Sequence, residues 1–470
     1  MVFSSEVFLF VFLPIVLFLY YGVFLHLPKV KNIYLLFVSL FFYAWGEPKY
    51  VYLMIAVIFV SWLGGMLVGY FETEKKKARI VMAVTIVIDL AALVYFKYTM
   101  FVLSNVKQLF GAGFSVPQIA LPIGISFFTF QAVSYVVDIY REEGEMQSNP
   151  FNVGLYIALF PQLIAGPIVR YQTFAEQIEV REEGFYNFGR GACRFMIGLA
   201  KKVVISNNVG IVATAAFDLV SGGTYRASVM MAWVGAICYS FQIFFDFAGY
   251  SDMAIGLGHM FGFQFEENFR YPYISRSITE FWRRWHISLQ TWFRDYVYIP
   301  LGGSKVKTKG RLVFNLFVVW MLTGIWHGAA WTFFLWGFLY FVLLTVEKLT
   351  GMPEKVGTWG RFYTLFFVII GWVIFRSESL RGMLVYLGAM FGRAAGGLWD
   401  AGALAYLNQS KFYLIAAVIC STPIITIYDR RMRRRLWWSA GYVAVLTGIF
   451  LVTITFIFNQ SYNPFIYFNF

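Results

Sequence analysis

The sequence is poor in charge, cysteine and histidine, and each shortage excludes a class of protein. Charged residues make up 13% of the 470 positions, about half of their share in soluble domains, which argues against a soluble globular protein. Three widely spaced cysteines match no metal or redox motif, so we expect buried apolar thiols at Cys193, Cys238 and Cys420. The four histidines lack metal-ligand spacing, and the chain has no phosphate loop, nucleophile elbow or dinucleotide fingerprint. The sequence therefore predicts no metal site and no soluble cofactor fold.

Long apolar runs dominate what is present. Hydrophobic residues make up 59% of the chain and aromatic residues 21%, the composition of a polytopic membrane protein. No small-residue cleavage site follows the run from Val7 to Leu25, so we expect a first helix there rather than a cleaved signal peptide. The run 312–346 is expected to hold two helices hinged near Gly328. Runs of spanning or nearly spanning length lie at 6–25, 32–46, 49–70, 79–97, 231–258, 312–346, 361–375, 412–428 and 437–458.

The net charge of +13 comes from basic residues that cluster between the hydrophobic runs. The clusters lie at 75–79, 305–311 and 430–435. The positive-inside rule assigns such loops to the cytoplasm, where they face anionic lipid. A binding patch is the alternative. We expect the lipid bilayer as the partner of these charges and no nucleic-acid partner.

Three apolar segments are interrupted by proline and glycine and predict irregular backbone. They lie at 118–140, 151–169 and 186–206, and the interrupting residues are Pro122, Gly124, Pro161, Gly166, Pro167 and Gly198. Irregular backbone at membrane depth is tolerated only where protein buries it or where it lines a water-filled cavity. We therefore expect re-entrant or kinked helices here, and with them an internal cavity.

The stretch from Thr279 to Tyr298 carries an aromatic stripe with arginines beside it. Read as one helix, it places five side chains on one face: Trp282, Trp285, Leu289, Trp292 and Tyr296. This pattern is typical of a helix lying in the membrane interface, and a simple interfacial anchor is the structural alternative to a functional role. On another face His286 lies between Arg283 and Gln290, which predicts a histidine with polar neighbours.

His327 lies inside the apolar run 322–331, where an ionisable side chain is costly and is therefore a candidate for function. Histidine is also the side chain best suited to proton transfer near neutral pH. Gly324 and Gly328 flank it at a spacing that lets another helix, or a ligand, approach the backbone closely. A hydrogen-bonded core histidine in a packing motif is the alternative. The chemistry of histidine does not decide between these two roles. The cost of placing an ionisable side chain in the membrane favours the functional one.

The other ionisable candidates favour structural roles. His26 lies in a short loop and His259 ends a glycine-rich segment, so neither is expected to be catalytic. Asp246 and Asp252 lie between apolar residues, and buried carboxylates in membranes usually pair with a base or cap a helix end. They could orient an active-site group or hold Arg276, Arg283 or Arg284, and we expect the structural role.

Four segments together resemble the membrane-bound O-acyltransferase family, in particular its bacterial branch of alginate O-acetyltransferases and D-alanyl-lipoteichoic acid transfer proteins. They are Phe160–Ile168, Phe245–Ala254, Tyr271–Tyr298 and Thr323–Ala329, and the ends Met1–Ser5 and Asn463–Phe470 are also similar. The resemblance spans nearly the whole chain. It implies an all-α polytopic membrane bundle of roughly 11 transmembrane helices, with re-entrant segments and a central tunnel. It also implies one domain over 1–470, divided into N-terminal helices 1–110, a catalytic core at about 118–346 and C-terminal helices 360–470.

The resemblance implies catalysis at two histidines. The family's catalytic histidine in the apolar helix corresponds to His327. His286 is the upstream partner, which would orient His327 or stabilise developing charge. The implied reaction is O-acyl transfer, most simply O-acetyl transfer, in the bacterial cell membrane. Neutral His327 would take the proton of an acceptor hydroxyl as that hydroxyl attacks a thioester donor.

The resemblance also implies partners. The donor would be cytoplasmic acetyl-CoA, with an acyl carrier protein thioester as the alternative, and no cofactor would stay bound. The acceptor would be an exported or cell-surface polysaccharide, reached through an extracytoplasmic esterase-like acyltransferase. Two other functions stay open. One is D-alanyl transfer to teichoic acid from a carrier protein, which the closing Asn463–Phe470 disfavours. The other is a proton-coupled transporter using His327 and Asp246, which the lack of evident repeats weakens.

Overall fold

The protein is helical wherever its structure can be described. The computed structural model describes residues 1–111, 113–222, 227–352, 357–394, 396–432, 436–459 and 466. Every regular element within these residues is a helix, so the expected all-α class is confirmed. Residues 433–435 of the C-terminal basic cluster lie outside the described residues, and so does the closing segment 463–470 except for Ile466.

The chain forms two compact units, the first of which consists of residues 1–195 and 253–266. An aromatic cluster lies in its core, where the rings of Phe3, Phe8, Phe42 and Phe160 pack together. The expectation of a single domain over the whole chain stays a prediction. The helices of this unit are α1 (Phe8–Val23), α2 (Pro28–Gly46), α3 (Val51–Tyr70), α4 (Lys75–Phe110), α5 (Ile125–Tyr140), α6 (Pro150–Ala158), α7 (Phe160–Leu163) and α8 (Tyr171–Glu179).

The second unit consists of residues 196–252 and 267–470. Two long helices, α9 (Phe185–Ser221) and α10 (Val229–Met260), contribute residues to both units. The core of the second unit is also aromatic, with Trp336, Tyr340 and Trp372 fully buried. Its other helices are α11 (Ile278–Arg284), α12 (Ile287–Phe293), α13 (Lys309–His327), α14 (Trp331–Thr350), α15 (Gly360–Arg376), α16 (Leu380–Gly388), α17 (Ala401–Cys420), α18 (Ile424–Met432) and α19 (Leu436–Asn459).

Eight helical segments in the described ranges are long and apolar enough to cross a membrane. The shorter apolar helices α1 and α5 add to them. The polytopic membrane class is therefore confirmed, and the number of roughly 11 transmembrane helices stays a prediction. The eight are Val51–Tyr70, Lys75–Phe110, Phe185–Ser221, Val229–Met260, Trp331–Thr350, Gly357–Arg376, Ala401–Cys420 and Ala440–Asn459.

The predicted irregular backbone is present in two of the three segments. Residues 118–122 have no helix ahead of α5, and 151–169 holds two short helices that meet at Leu159. The segment 186–206 is not re-entrant, because α9 runs through it, although the helix is π-helical at Lys201–Ser206. Gly198 serves close packing there: a Cβ added at Gly249 of α10 would lie 2.7 Å from the Gly198 carbonyl oxygen. A glycine can thus mark a helix contact as well as a helix break.

The run 312–346 contains two helices as predicted, α13 and α14, with the turn at 328–330. The run 412–428 was wrongly placed, because α17 ends at Cys420 and α18 begins at Ile424. Pro423 stands between these helices. It has no N–H to continue the first helix, and its ring disfavours helical backbone in the residue before it. The spanning helix therefore lies nearer the N-terminus than hydropathy suggests.

Candidate active site

His327 is the last residue of α13, and the extended backbone of Gly328 ends the helix (φ −177°, ψ 156°). The side chain is buried, with 5% of its surface exposed. Three aromatic rings contact the imidazole edge to face: Trp326 and Trp336 at centroid distances of 5.0 Å each, and Phe375 at 5.2 Å. These rings exclude water from the imidazole, so electrostatic effects at this histidine are stronger than in water.

Close helix packing holds His327 in place, as the glycine spacing predicted. A Cβ added at Gly324 would lie 2.6 Å from the carbonyl oxygen of Phe333 and 3.2 Å from the Cα of Gly337, both in α14. One added at Gly328 would lie 2.1 Å from the Phe333 ring. The approaching element is therefore α14. The packing motif and the candidate catalytic residue occupy the same helix end.

His286 lies in a break between two short helices, and the single helix predicted for 279–298 is wrong. Trp285 is extended, and His286 has left-handed backbone (φ 46°, ψ 54°), which is uncommon for a residue with a side chain. The hydroxyl of Ser277 caps α11 by accepting from the N–H of Glu280. His286 takes the N-cap position of α12, so the aromatic stripe does not continue on one face through this turn.

Asn268 holds this turn, and sequence analysis missed it. Its Oδ1 accepts from the Ser288 N–H (3.2 Å) and the Ser288 hydroxyl (3.0 Å) and lies 3.1 Å from Nδ1 of His286. Its backbone carbonyl accepts from the Ile287 N–H (3.0 Å), and its Nδ2 donates to Ser251 Oγ (2.9 Å). Asn268 is fully buried. The only sequence signal was one amide ahead of an apolar, Trp-rich stretch, which gives no hint of its partners.

The surroundings of His286 also differ from the prediction. The residue is 1% exposed, and the ring of Phe247 of α10 lies at a centroid distance of 4.5 Å. Aromatic rings and the amide of Asn268, which the sequence did not suggest, contact its imidazole. Burial lowers the pKa of His286 well below its usual value, and the proximity of His327 acts in the same direction. His286 is outside the eight candidate spans, and its imidazole is neutral at neutral pH.

The tryptophans of the stripe form protein core rather than a membrane-interface face. Trp282, Trp285 and Trp292 are 4%, 3% and 6% exposed. Trp282 packs against Trp320 of α13, at a centroid distance of 4.8 Å, and Trp285 packs against Trp372 of α15, at 4.7 Å. The interfacial-helix prediction is therefore wrong. A spacing of three and four residues marks an apolar face both in a membrane-interface helix and in a protein core. The contacts with Trp320 and Trp372 show that this face belongs to the core.

Trp326 connects the two candidate histidines. Its ring lies 5.0 Å from that of His327 and 6.3 Å from that of His286, measured between centroids. Both histidines belong to the second unit. The structure therefore places the two predicted site residues in one buried aromatic environment.

The carboxylates Asp246 and Asp252 pair with lysines rather than with the expected arginines. Asp246 lies 2.8 Å from Lys202, and both side chains are 2% exposed. Asp252 lies 2.7 Å from Lys201, where the side chains are 15% and 27% exposed. Asp246 also accepts from the backbone N–H of Ile466 (2.8 Å). Helix α9 carries the lysines and α10 the aspartates, so these contacts have the expected structural role with other partners.

The remaining histidines and cysteines lie elsewhere in the fold. His26 is exposed in a turn after α1, and His259 is half-buried in the last turn of α10. Cys238 is buried, whereas Cys193 and Cys420 are half-buried. Within the residues that the structure describes, no group of three or more histidines, cysteines or carboxylates could hold a metal ion.

A cavity of about 470 Å³ lies between α11, α12, α13 and α14, and Ile287, the residue after His286, is part of its wall. Arg283, Arg294 and Lys348 contribute positive charge to its wall. Nε1 of Trp282 and Nε2 of Gln290 are buried wall atoms that make no hydrogen bond within the described part of the chain. The cavity thus offers cations and polar atoms to an anionic, polar ligand. Its wall is formed by Thr279, Trp282, Arg283, Ile287, Gln290, Thr291, Phe293, Arg294, Tyr298, Leu316, Val319, Trp320, Leu344 and Lys348.

Fold and site together define a class: a multi-pass helical membrane protein with two histidines buried among aromatic rings. Residues 81–386 match the model of MBOAT, the membrane-bound O-acyltransferase family. The chain belongs to this family, which confirms the resemblance seen in the sequence. It is an O-acyltransferase of a bacterial membrane.

Several relatives align over the whole chain, among them two that are named for different acceptors. The probable alginate O-acetylase AlgI of Pseudomonas putida is 38% identical over 100% of both chains. The peptidoglycan O-acetyltransferase of Helicobacter pylori is 32% identical over 100% of this chain and 98% of its own. The teichoic acid D-alanyltransferase of Bacillus subtilis is 31% identical but aligns with only 53% of this chain and 65% of its own.

Proposed function

We propose that this protein transfers an acetyl group from a thioester donor toward hydroxyls of an exported polysaccharide. The observation that carries the proposal is a pair of buried histidines that share one aromatic environment in an O-acyltransferase. Relatives that align with the whole chain are named for O-acetylation of alginate and of peptidoglycan, which are both exported polysaccharides. The D-alanyltransferase aligns with about half of it. This difference in coverage favours acetyl over D-alanyl transfer.

The proposed chemistry is general-base catalysis at His327. Its neutral imidazole takes the proton of the acceptor hydroxyl while the hydroxyl oxygen attacks the thioester carbonyl. The tetrahedral intermediate then collapses, the carbon–sulfur bond breaks, and the proton passes from His327 to the leaving thiolate. The surrounding rings of Trp326, Trp336 and Phe375 limit hydrolysis of the donor by excluding water. His286 takes part in the same acyl transfer.

The cavity between α11, α12, α13 and α14 is the proposed donor site. Acetyl-CoA and an acetylated carrier protein both carry a phosphopantetheine arm, and Arg283, Arg294 and Lys348 supply the positive charge to hold its phosphate. Trp320 in the cavity wall precedes His327 by two turns, or about 10 Å along α13. The basic cluster 305–311 spans the start of α13, and the positive-inside rule assigns it to the cytoplasm. The donor therefore enters from the cytoplasm, with acetyl-CoA as the first candidate.

The acceptor would reach His327 from the other side of the membrane. An extracytoplasmic esterase-like acyltransferase would receive the acetyl group and place it on the polymer. Such a partner explains how a membrane-embedded histidine can serve a large carbohydrate.

The direct test replaces His327 by Ala in cells and measures the O-acetyl content of the exported polysaccharide. His26→Ala is the matched control, because that histidine is exposed in a turn. We expect acetylation to fall to background in the first variant and to remain normal in the second, at equal protein levels. Normal acetylation in the His327→Ala cells would contradict the proposal. Purified protein given radiolabelled acetyl-CoA or an acetylated carrier protein separates the two donors.

A further inference from the structure

We propose that Asn268 is a positioning residue that fixes the tautomer of His286, with hydrogen on Nδ1 and the lone pair on Nε2. His286 then acts in acyl transfer as a proton or hydrogen-bond acceptor through Nε2. This inference rests on the proposed function for the reaction that it serves. It decides between the two roles considered for His286, because an acceptor at Nε2 cannot donate to a developing oxyanion.

The identity of the amide atom that faces His286 follows from the backbone. A backbone N–H can only donate, and the N–H of Ser288 lies 3.2 Å from the side-chain atom of Asn268. That atom is therefore the oxygen. On its other side the amide nitrogen donates to Ser251 Oγ at 2.9 Å. Both ends of the amide thus have matched partners, which fixes its orientation against a flip.

The tautomer of the imidazole follows from the same oxygen. Oδ1 of Asn268 lies 3.1 Å from Nδ1 of His286, and a carbonyl oxygen can only accept. Nδ1 therefore carries the hydrogen. A neutral imidazole has one N–H, so Nε2 has the lone pair. Both residues are buried, at 0% and 1% exposure, so water does not compete for this bond.

Asn268 also fixes where the ring points. His286 has left-handed backbone, and its two following residues donate their N–H groups to Asn268: Ile287 to the backbone carbonyl (3.0 Å) and Ser288 to Oδ1 (3.2 Å). The rings that contact the imidazole include Phe247, Phe269 and Trp326. One buried asparagine thus sets the turn, the ring orientation and the tautomer of His286.

The consequence for the reaction is a definite proton position. When the acceptor hydroxyl loses its proton, the O–H bond breaks and the new N–H bond forms on an imidazole nitrogen. With Nδ1 already protonated, His286 takes part only by accepting at Nε2, either from the N–H of His327 or from the substrate. Phe247, Phe269 and Trp326 have no group that titrates near neutral pH, so these neighbours do not contribute to the pH dependence of activity.

Two substitutions test the proposal in the full-length purified protein. Asn268→Ala removes the acceptor, and we expect kcat to fall by about 10² to 10⁴, the range seen when a group that orients a histidine is lost. Asn268→Asp keeps the acceptor and adds negative charge. We expect it to retain activity and to move the acidic limb of the pH–rate profile upward by about one unit or more. A merely structural role would not move this limb.

Asn315→Ala is the matched control, because Asn315 is also fully buried and its Nδ2 donates to the Gly303 carbonyl (3.1 Å). It should change kcat by less than about threefold. Full activity in Asn268→Ala, or an active Asn268→Asp with an unshifted profile, would overturn the positioning role. If His286→Ala and His327→Ala are inactive, the proposed function stands even when the Asn268 variants overturn the positioning role. Full activity of both histidine variants instead contradicts the proposed function itself.

A spectroscopic measurement keeps the test valid if Asn268→Ala fails to fold. The chain has only four histidines, so nitrogen-15 labelling of histidine gives a spectrum that single substitutions can assign. The proposal predicts a protonated Nδ1 and an unprotonated Nε2 for His286 in the unsubstituted protein at neutral pH. The opposite tautomer would overturn it.

Discussion

The two candidate histidines are held in place by different kinds of interaction. His327 ends a regular helix and is surrounded by aromatic edges, with glycine-to-backbone contacts pressing α14 against it. His286 stands in a strained turn and is held by a polar network centred on Asn268. Shape fixes the first residue and hydrogen bonds fix the second.

Because the two histidines are held by different interactions, different substitutions are expected to displace each of them. Steric packing tolerates loss of atoms better than their addition at a glycine contact, where backbone meets backbone. A buried polar network fails when one partner is removed, because the remaining polar group stays buried without compensation. Each side of the site therefore has its own most damaging substitution.

The largest effect is expected where ionic contacts anchor the His286 side. Asp246 pairs with Lys202 in the core of the second unit and precedes Phe247, whose ring contacts His286. Lys202→Met leaves the aspartate charge buried, so we expect a loss of about 3–5 kcal/mol of unfolding free energy. The control is Lys201→Met, where the pair with Asp252 is partly exposed and the loss should be about 1 kcal/mol or less. Denaturation in detergent micelles measures the free energy of unfolding of both variants. Equal losses would contradict the expected difference between the buried and the partly exposed ion pair.

The next effect concerns the His327 side. Gly324→Ala places a methyl group 2.6 Å from the Phe333 carbonyl oxygen, so α13 and α14 must separate. We expect a loss of about 1–3 kcal/mol of unfolding free energy, together with a lower rate of acyl transfer as His327 shifts. Gly448→Ala on α19 is the control, because nothing lies within 4 Å of its added Cβ. An unaffected Gly324→Ala protein would mean that shape does not position His327.

The smallest effect is expected at the rim of the donor cavity. Arg283 and Lys348 are exposed wall residues, so each contributes a screened attraction to a phosphate. Replacing either by Gln should raise the KM for acetyl-CoA by about three- to tenfold, or ~0.6–1.4 kcal/mol, and leave kcat unchanged. Lys411→Gln, an exposed residue outside the cavity wall, is the control. A fall in kcat with constant KM would place these charges in the chemistry rather than in donor binding.

The His327 side could be predicted from sequence, and the His286 side could not. Residues close together in the chain encode the helix, the flanking glycines and the hinge at Gly328. The turn at His286 depends on Asn268, which lies 18 residues upstream. The stripe of Trp282, Trp285 and Trp292 has the same spacing whether it faces lipid headgroups or a protein core. Tertiary packing buries these tryptophans against α13 and α15, and the local spacing of residues does not determine that packing.

The central claim is that His286 and His327 act as one unit in acyl transfer. A double-mutant cycle on purified protein tests it most directly: acetyl-transfer rates are measured for His286→Ala, His327→Ala and the double variant. Residues that act as a unit give strongly non-additive losses. We predict that both single variants lose at least about 10²-fold, and that the double variant is within about threefold of the slower one. Losses that multiply in the double variant, or a single variant that keeps full activity, would contradict the account.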